Sequence, residues 1–173
     1  MYTSNNFETK FQIMAAEFLK ELTPLVDNLN LELDHGSIDH LCFRVETENE
    51  YQQYKDDLQK IGSLLVESIV GARLIATYKL NSPIKYNDIE VDVIELPQPK
   101  PNSKYKTAFE HVEYVIKERF DKIIENHPEI KFDLGAMQKK INPDIRVKFS
   151  NDLSIKLHHQ SLEAVIKYEK TMI

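Results

Sequence analysis

Two strand-like runs, far apart in the chain, constrain its fold more than any other feature. In Ile38-Asp39-His40-Leu41-Cys42-Phe43-Arg44-Val45, Leu41, Phe43 and Val45 share one side, while His40, Cys42 and Arg44 share the other. Successive side chains of a strand point to opposite faces, so this run presents an apolar and a polar surface. Phe109 to Ile116 repeats the design: Val112, Tyr114 and Ile116 oppose His111, Glu113 and Val115. Each run is followed by an amphipathic helix and three further strand-like runs. Strand, helix, three strands, given twice, predicts two βαβββ units whose polar faces line one cup.

After the first run, Thr47 and Glu50 have the spacing of a capping box, and a helix should follow with Tyr51, Tyr54, Leu58 and Ile61 inward. Gly62 is the expected stop. Leu64 to Leu80, broken at Gly71, reads as a hairpin, Asn81-Ser82-Pro83 as a turn, and Ile89 to Leu96 as the unit's last strand. Pro97, Pro99 and Pro101 mark a linker. In the second unit Phe120, Ile123 and Ile124 face inward from a helix ending near Pro128. Phe132–Met137, Ile145–Phe149 and Leu153–His158 follow as strands.

Two helices flank these units. Phe7, Phe11, Met14, Phe18, Leu22 and Leu25 form one stripe over residues 5 to 30, interrupted at Pro24, and Ser161 caps a closing helix through Leu162, Val165 and Ile166. The chain therefore divides, within one domain of 1–173, into an N-terminal helical segment (1–35), modules at 36–100 and 105–160, and a C-terminal helix (161–173).

Composition narrows the function. A net charge of −6 argues against a general nucleic-acid or anionic-membrane binder. The lone Cys42 excludes an intramolecular disulfide and fits a reducing compartment. Met1 to Asn6 lacks the pattern of a secretion signal, and no apolar run approaches the roughly 18 residues of a membrane span. The expected location is the cytoplasm. Glycine-rich nucleotide loops, GxSxG and CxxC are missing from the sequence.

Four residues take matching places in the repeat: His40 and His111 on the first strands, Glu95 and His158 on or near the last. Imidazole nitrogen and carboxylate oxygen suit Zn, Fe, Mn, Ni or Co, and ligands from separate strands can close around one divalent ion. His158 is preferred to His159, which shares its face with Leu157. Strict alternation puts Val91 and Val93 on the Glu95 face and Ile94 and Leu96 opposite; a bulge would settle that strand. A solvated strand end is the competing reading of Glu95. Glu113 has three readings: catalytic base, substitute ligand, or partner fixing an imidazole. Arg44, Arg73, Lys79 and Lys156 either balance these acids or receive an anionic substrate, with Arg73 the best carboxylate clamp. Cys42 reads as an inert buried thiol.

Asp39-His40, Arg44, Gly71-Ala72-Arg73, Glu95-Leu96-Pro97-Gln98-Pro99, Glu110-His111-Val112-Glu113, Asn142-Pro143 and Ile155-Lys156-Leu157-His158, taken as an ordered set, resemble the YecM-like family of bacterial proteins. That family is similar in fold to the vicinal oxygen chelate superfamily of glyoxalases, extradiol dioxygenases, epimerases and bleomycin-resistance proteins. The resemblance implies an α+β fold, two βαβββ modules forming a cup-shaped, barrel-like mixed sheet around a divalent metal. It implies ligands on first and fourth strands, here His40, Glu95, His111 and His158; the last is commonly glutamate in glyoxalases and dioxygenases. Two functions follow: a metal-dependent enzyme, isomerase- or lyase-like before oxygenase, acting on a small oxygen-rich anion, or a protein that holds a small molecule or metal without turnover. A monomer or a homodimer fits either.

Overall fold

A computed structural model describes residues 4–102 and 104–172. Of the N-terminal stretch read as lacking a secretion signal, Met1 to Thr3 lie outside the described residues, as does Ile173 at the end of the closing segment.

Helix α1 (Ser4–Asp27) and a 3-10 turn (His35–Ser37) precede the first module: β1 (Ile38–Arg44), α2 (Glu48–Ile61), β2 (Gly62–Val70), β3 (Arg73–Tyr86) and β4 (Ile89–Pro97). The second repeats it: β5 (Ala108–Val115), α3 (Phe120–Asn126), β6 (Phe132–Asp133), β7 (Asp144–Lys148) and β8 (Ser154–His158), with α4 (Leu162–Lys170) closing the chain. The eight strands form one open sheet in the order β2-β3-β4-β1-β5-β8-β7-β6. At its centre β1 and β5 run antiparallel, and each has the last strand of its own module parallel on its other side.

The apolar face builds the core. Leu41, Phe43, Val112, Tyr114, Ile155 and Leu157 are buried there against Phe11, Phe18, Leu19 and Leu22 of α1, Tyr51 and Leu58 of α2, and Phe120 and Ile123 of α3. The Phe11 ring lies 5.2 Å from Phe43 and 5.0 Å from Phe109, so α1 spans the junction of the two modules. Each such side chain contributes about 1.5–3 kcal/mol on burial.

Local chemistry sets the helix ends as the sequence leads one to expect. Thr47 Oγ1 accepts from Glu50 N (3.2 Å) while the Glu50 carboxylate accepts from Thr47 N (2.9 Å), and Ser161 Oγ accepts from Ala164 N. Elsewhere the structure departs from these expectations. Asn81-Ser82-Pro83 is no turn: β3 runs through it to Tyr86, absorbing the extra residues as a register shift between Lys79 and Ile84. The strand expected over Phe132–Met137 is only Phe132–Asp133, and Val26, not Leu25, completes the buried stripe of α1. Gly62 does stop α2, but by entering β2 directly.

The polar face is covered unevenly. Leu162 N at the start of α4 donates to Asp39 Oδ2 (2.8 Å), Glu163 pairs with Lys79 (2.9 Å), and Lys170 donates to Leu65 O (2.9 Å). Since Lys79 and Thr77 share the face of Glu95, α4 lies over the polar side of the first module. Among the described residues no helix is long and apolar enough to cross a membrane.

Candidate metal centre

Two bulges shape the centre. In the β1–β5 pair, Ile38 opposes Tyr114 and His40 opposes Glu113, leaving Asp39 as an extra residue; Cys42 opposes His111 and Phe43 opposes Phe109, leaving Glu110 as another. A bulge breaks alternation, so an acidic residue reaches the same side as the histidine after it. Asp39 Oδ2 accepts from His40 Nδ1 (2.8 Å), and Glu110 Oε1 accepts from His111 Nδ1 (3.0 Å). Both rings are thereby fixed with Nε2 turned inward, the orientation that carboxylate partners give to metal-binding imidazoles. β8 supplies the third ring. His158 Nδ1 donates to Gln160 O (2.5 Å), and Asn142 brackets Gln160 by donating to its carbonyl (2.9 Å) and accepting its N–H (3.1 Å).

The three imidazoles meet at the carboxylate of Glu113. Its Oε1 lies 3.2 Å from His111 Nε2 and 3.4 Å from His40 Nε2, and its Oε2 lies 3.6 Å from His158 Nε2. Lys156 Nζ donates to the same Oε1 at 2.5 Å. Cross-strand pairing puts these groups in two rows. Thr77, Glu95, Cys42, His111, Ser154 and Lys148 form one; His40, Glu113, Lys156, Arg146 and Asp133 form the other, and His158 lies one row further, between Val115 and Asp144. His40, His111 and His158 are 2%, 0% and 1% exposed.

Burial alone would neutralise such a cluster; the opposed charges prevent it. Burial disfavours a charged His40, yet Glu113 and Asp39 outweigh it and push its pKa up to about 10. Glu113, against its own burial, is held well below the usual carboxylate range by Lys156, His40 and His111. Burial and the neighbouring His40 push His158 down. Glu110 is lowered to about 2 against burial by His111 and Arg44, and burial pushes the Cys42 thiol up, as expected of an inert thiol.

A divalent ion fits these residues. His40 and His158 each spend Nδ1 on an oxygen acceptor, and their buried Nε2 atoms have no hydrogen-bond partner. His158 Nε2 lies 3.6 Å from Glu113 Oε2 and 3.9 Å from Asp39 Oδ2. An unsatisfied buried polar atom costs about 1–3 kcal/mol, and a cation among these donors removes that cost. Donor atoms within 4.8 Å of one another form three overlapping sets: Asp39, His40 and His158; His40, Glu95 and Glu113; Cys42, Glu95 and His111.

The four expected ligands thus lie on one face but not in one such set, and Glu113 stands at their meeting point. Glu95 faces inward because the strand breaks alternation between Val91, in the core, and Ile94. His159 turns away, its ring packed at a tilt against Phe120 and donating to Glu118 O. Lys156 is at the centre; Arg44 sits beside it, meeting Glu110 through Nη2 and Nε at 3.1 Å. Arg73 is at the hairpin end of β3 and donates to Gln98 O. Asp39, Glu110 and Asn142 carry roles that alternation hides, although an acid directly before both strand histidines was a visible signal.

Paired βαβββ modules joined along their first strands, with imidazoles and carboxylates gathered on one face, define the α+β class of this chain. The family model described as YecM protein matches residues 8–169, and the chain belongs to that family. An uncharacterized protein of Haemophilus influenzae is 31% identical over 175 residues, covering 90% of this chain and 91% of its own. Protein YecM of Escherichia coli K12 is 25% identical over 99 residues, 57% of this chain and 53% of its own. The solved structure of the structural-genomics protein EC4020 superposes with a TM-score of 0.75 at 21% identity, covering 98% of this chain and 97% of that one, and shares its fold.

Proposed function

We propose that the chain binds one divalent ion (Zn, Fe, Mn, Ni or Co) through His40, Glu95, His111 and His158, with Glu113 completing the inner face, and turns over a small, oxygen-rich anionic substrate. The observation that carries this reading is the convergence of three imidazole Nε2 atoms, from β1, β5 and β8, on one carboxylate, two of them buried without a hydrogen-bond partner. When bound, the ion supplies Lewis-acid polarisation of a substrate oxygen, which suits isomerase or lyase chemistry through an oxyanion.

The protein's own groups divide the remaining work. Glu113 and Lys156 share a hydrogen bond at Oε1 and are the pair able to hold or move a proton there. Because Lys156 keeps Glu113 ionised, the carboxylate accepts a proton only from a group made acidic by its surroundings. Arg44 acts on the centre through Glu110, which orients His111. The near-complete burial of the rings favours a second reading, a protein that holds its ion in a closed shell without turnover.

Metal analysis of protein purified without chelator tests the site. Wild type should carry about one ion per chain, and His40→Ala and His111→Ala should each lose most of it. Unchanged content in both variants overturns the assignment. Open coordination positions in the loaded protein would select turnover over storage.

A further inference from the structure

The polar face has one closed flank and one open flank. Over the first module α4 covers it; beside the second, a cleft of about 470 Å³ opens between Arg44, the 104–106 loop and strands β7 and β8. That volume suits a small molecule. Five cationic side chains line the cleft (Arg44, Lys104, Lys106, Arg146 and Lys148) against two carboxylates, Glu110 and Asp152, in a chain whose net charge is −6. Arg44 is paired with Glu110 and Lys148 with Asp133; among the described residues no carboxylate comes within 4.0 Å of Lys104, Lys106 or Arg146, Arg146 having Asp133 only as its cross-strand neighbour on β6. Arg146 stands directly across from Lys156, so two cations adjoin at the middle of a row whose carboxylates, Glu113 and Asp133, lie on their outer sides. Neighbouring like charges repel, and an anion bound beside them removes the repulsion. The floor adds a prepared donor: Arg44 is 8% exposed, and its Nη1 has no hydrogen-bond partner. Tyr105 and Phe149 supply apolar wall for the body of a ligand.

We propose that this cleft is an anion-binding subsite that takes the carboxylate or phosphate of a small organic molecule. Arg146 and the loop lysines receive the anion, Arg44 forms the floor, and the Arg44–Glu110–His111 chain links the cleft to the metal centre. Assigning the anion to the substrate of that centre rests on the metal reading; the binding itself does not.

Calorimetric titration of the EDTA-treated full chain at low ionic strength, with inorganic phosphate and with benzoate, tests it. Saturable binding of either probe is expected; phosphate alone would assign a phosphoryl group, benzoate alone a carboxylate. Arg146→Gln should weaken that binding about tenfold or more, as loss of a charge-assisted donor does, while Lys122→Gln on α3 should not change it. Should Arg146→Gln fail to fold, the double variant Lys104→Gln/Lys106→Gln in the exposed loop carries the same expectation. No saturable binding of either probe, or wild-type affinity in the folded cleft variants, overturns the proposal. Metal content separates the two readings: Arg146→Gln should keep its ion, and His40→Ala should keep its anion affinity.

Discussion

Asp39 shows how much a single side chain can do at this centre. One oxygen, Oδ2, accepts from His40 Nδ1 and from Leu162 N, both at 2.8 Å, so it orients a ring and ties down α4 together. Asp39→Asn keeps the size but removes the charge that fixes the tautomer. Loss of such a carboxylate partner typically costs 10–100-fold in metal affinity, and a drop of about that size is expected in a competition titration against a chromophoric chelator. Wild-type affinity would show that the ring needs no such partner. The three histidines were legible from alternation, because a polar residue opposite a buried apolar face stands out. Their orienting acids were not, because alternation assigns Asp39 and Glu110 to the core side; only the bulges bring them round. Glu95 reaches the inner face through a similar irregularity.

Among the elements, helices were easier to read than strands. The caps at Thr47 and Ser161 are short-range chemistry written in a few adjacent residues, and both form as expected. Strand ends depend on partners. Asn81-Ser82-Pro83 has the composition of a turn, yet Leu80 and Ile84 on either side are both buried, so burial holds β3 together through it. Gly62 illustrates the same dependence. Its backbone is extended, and a Cβ there would lie 2.5 Å from the Lys79 carbonyl oxygen, with no flexible side chain to yield. Gly62→Ala should therefore cost about 2 kcal/mol, within the range for overpacking, as a lower urea midpoint at unchanged slope. A loss below about 0.5 kcal/mol, the scale of neutral surface changes, would mean that the α2–β2 junction can move apart.

For the molecule as a whole, the repeat decides the architecture. The order of elements was readable because each module has its own helix and its own three strands; which carboxylate occupies the centre was not, since that follows from register across the β1–β5 junction. The candidate ligands come from both modules, so an ion there ties the two halves together. Manganese titrated into EDTA-treated protein should add about 2.7 kcal/mol of stability at a hundredfold excess over Kd, seen as a concentration-dependent rise in melting temperature. His40→Ala in one module and His111→Ala in the other should both abolish the shift. A full shift in either would confine the ion to a single module.

Helix α4 lies across one flank of an otherwise duplicated design, and this has a stereochemical consequence. The two halves are built alike, yet α4 covers the inner face on the first module while the cleft beside Arg44 lies open by the second, which gives a visitor a preferred direction of approach. Under the turnover proposed above, a prochiral compound reaching Glu113 from the cleft side would present the same face to it every time. Any product formed at this centre should be of one hand.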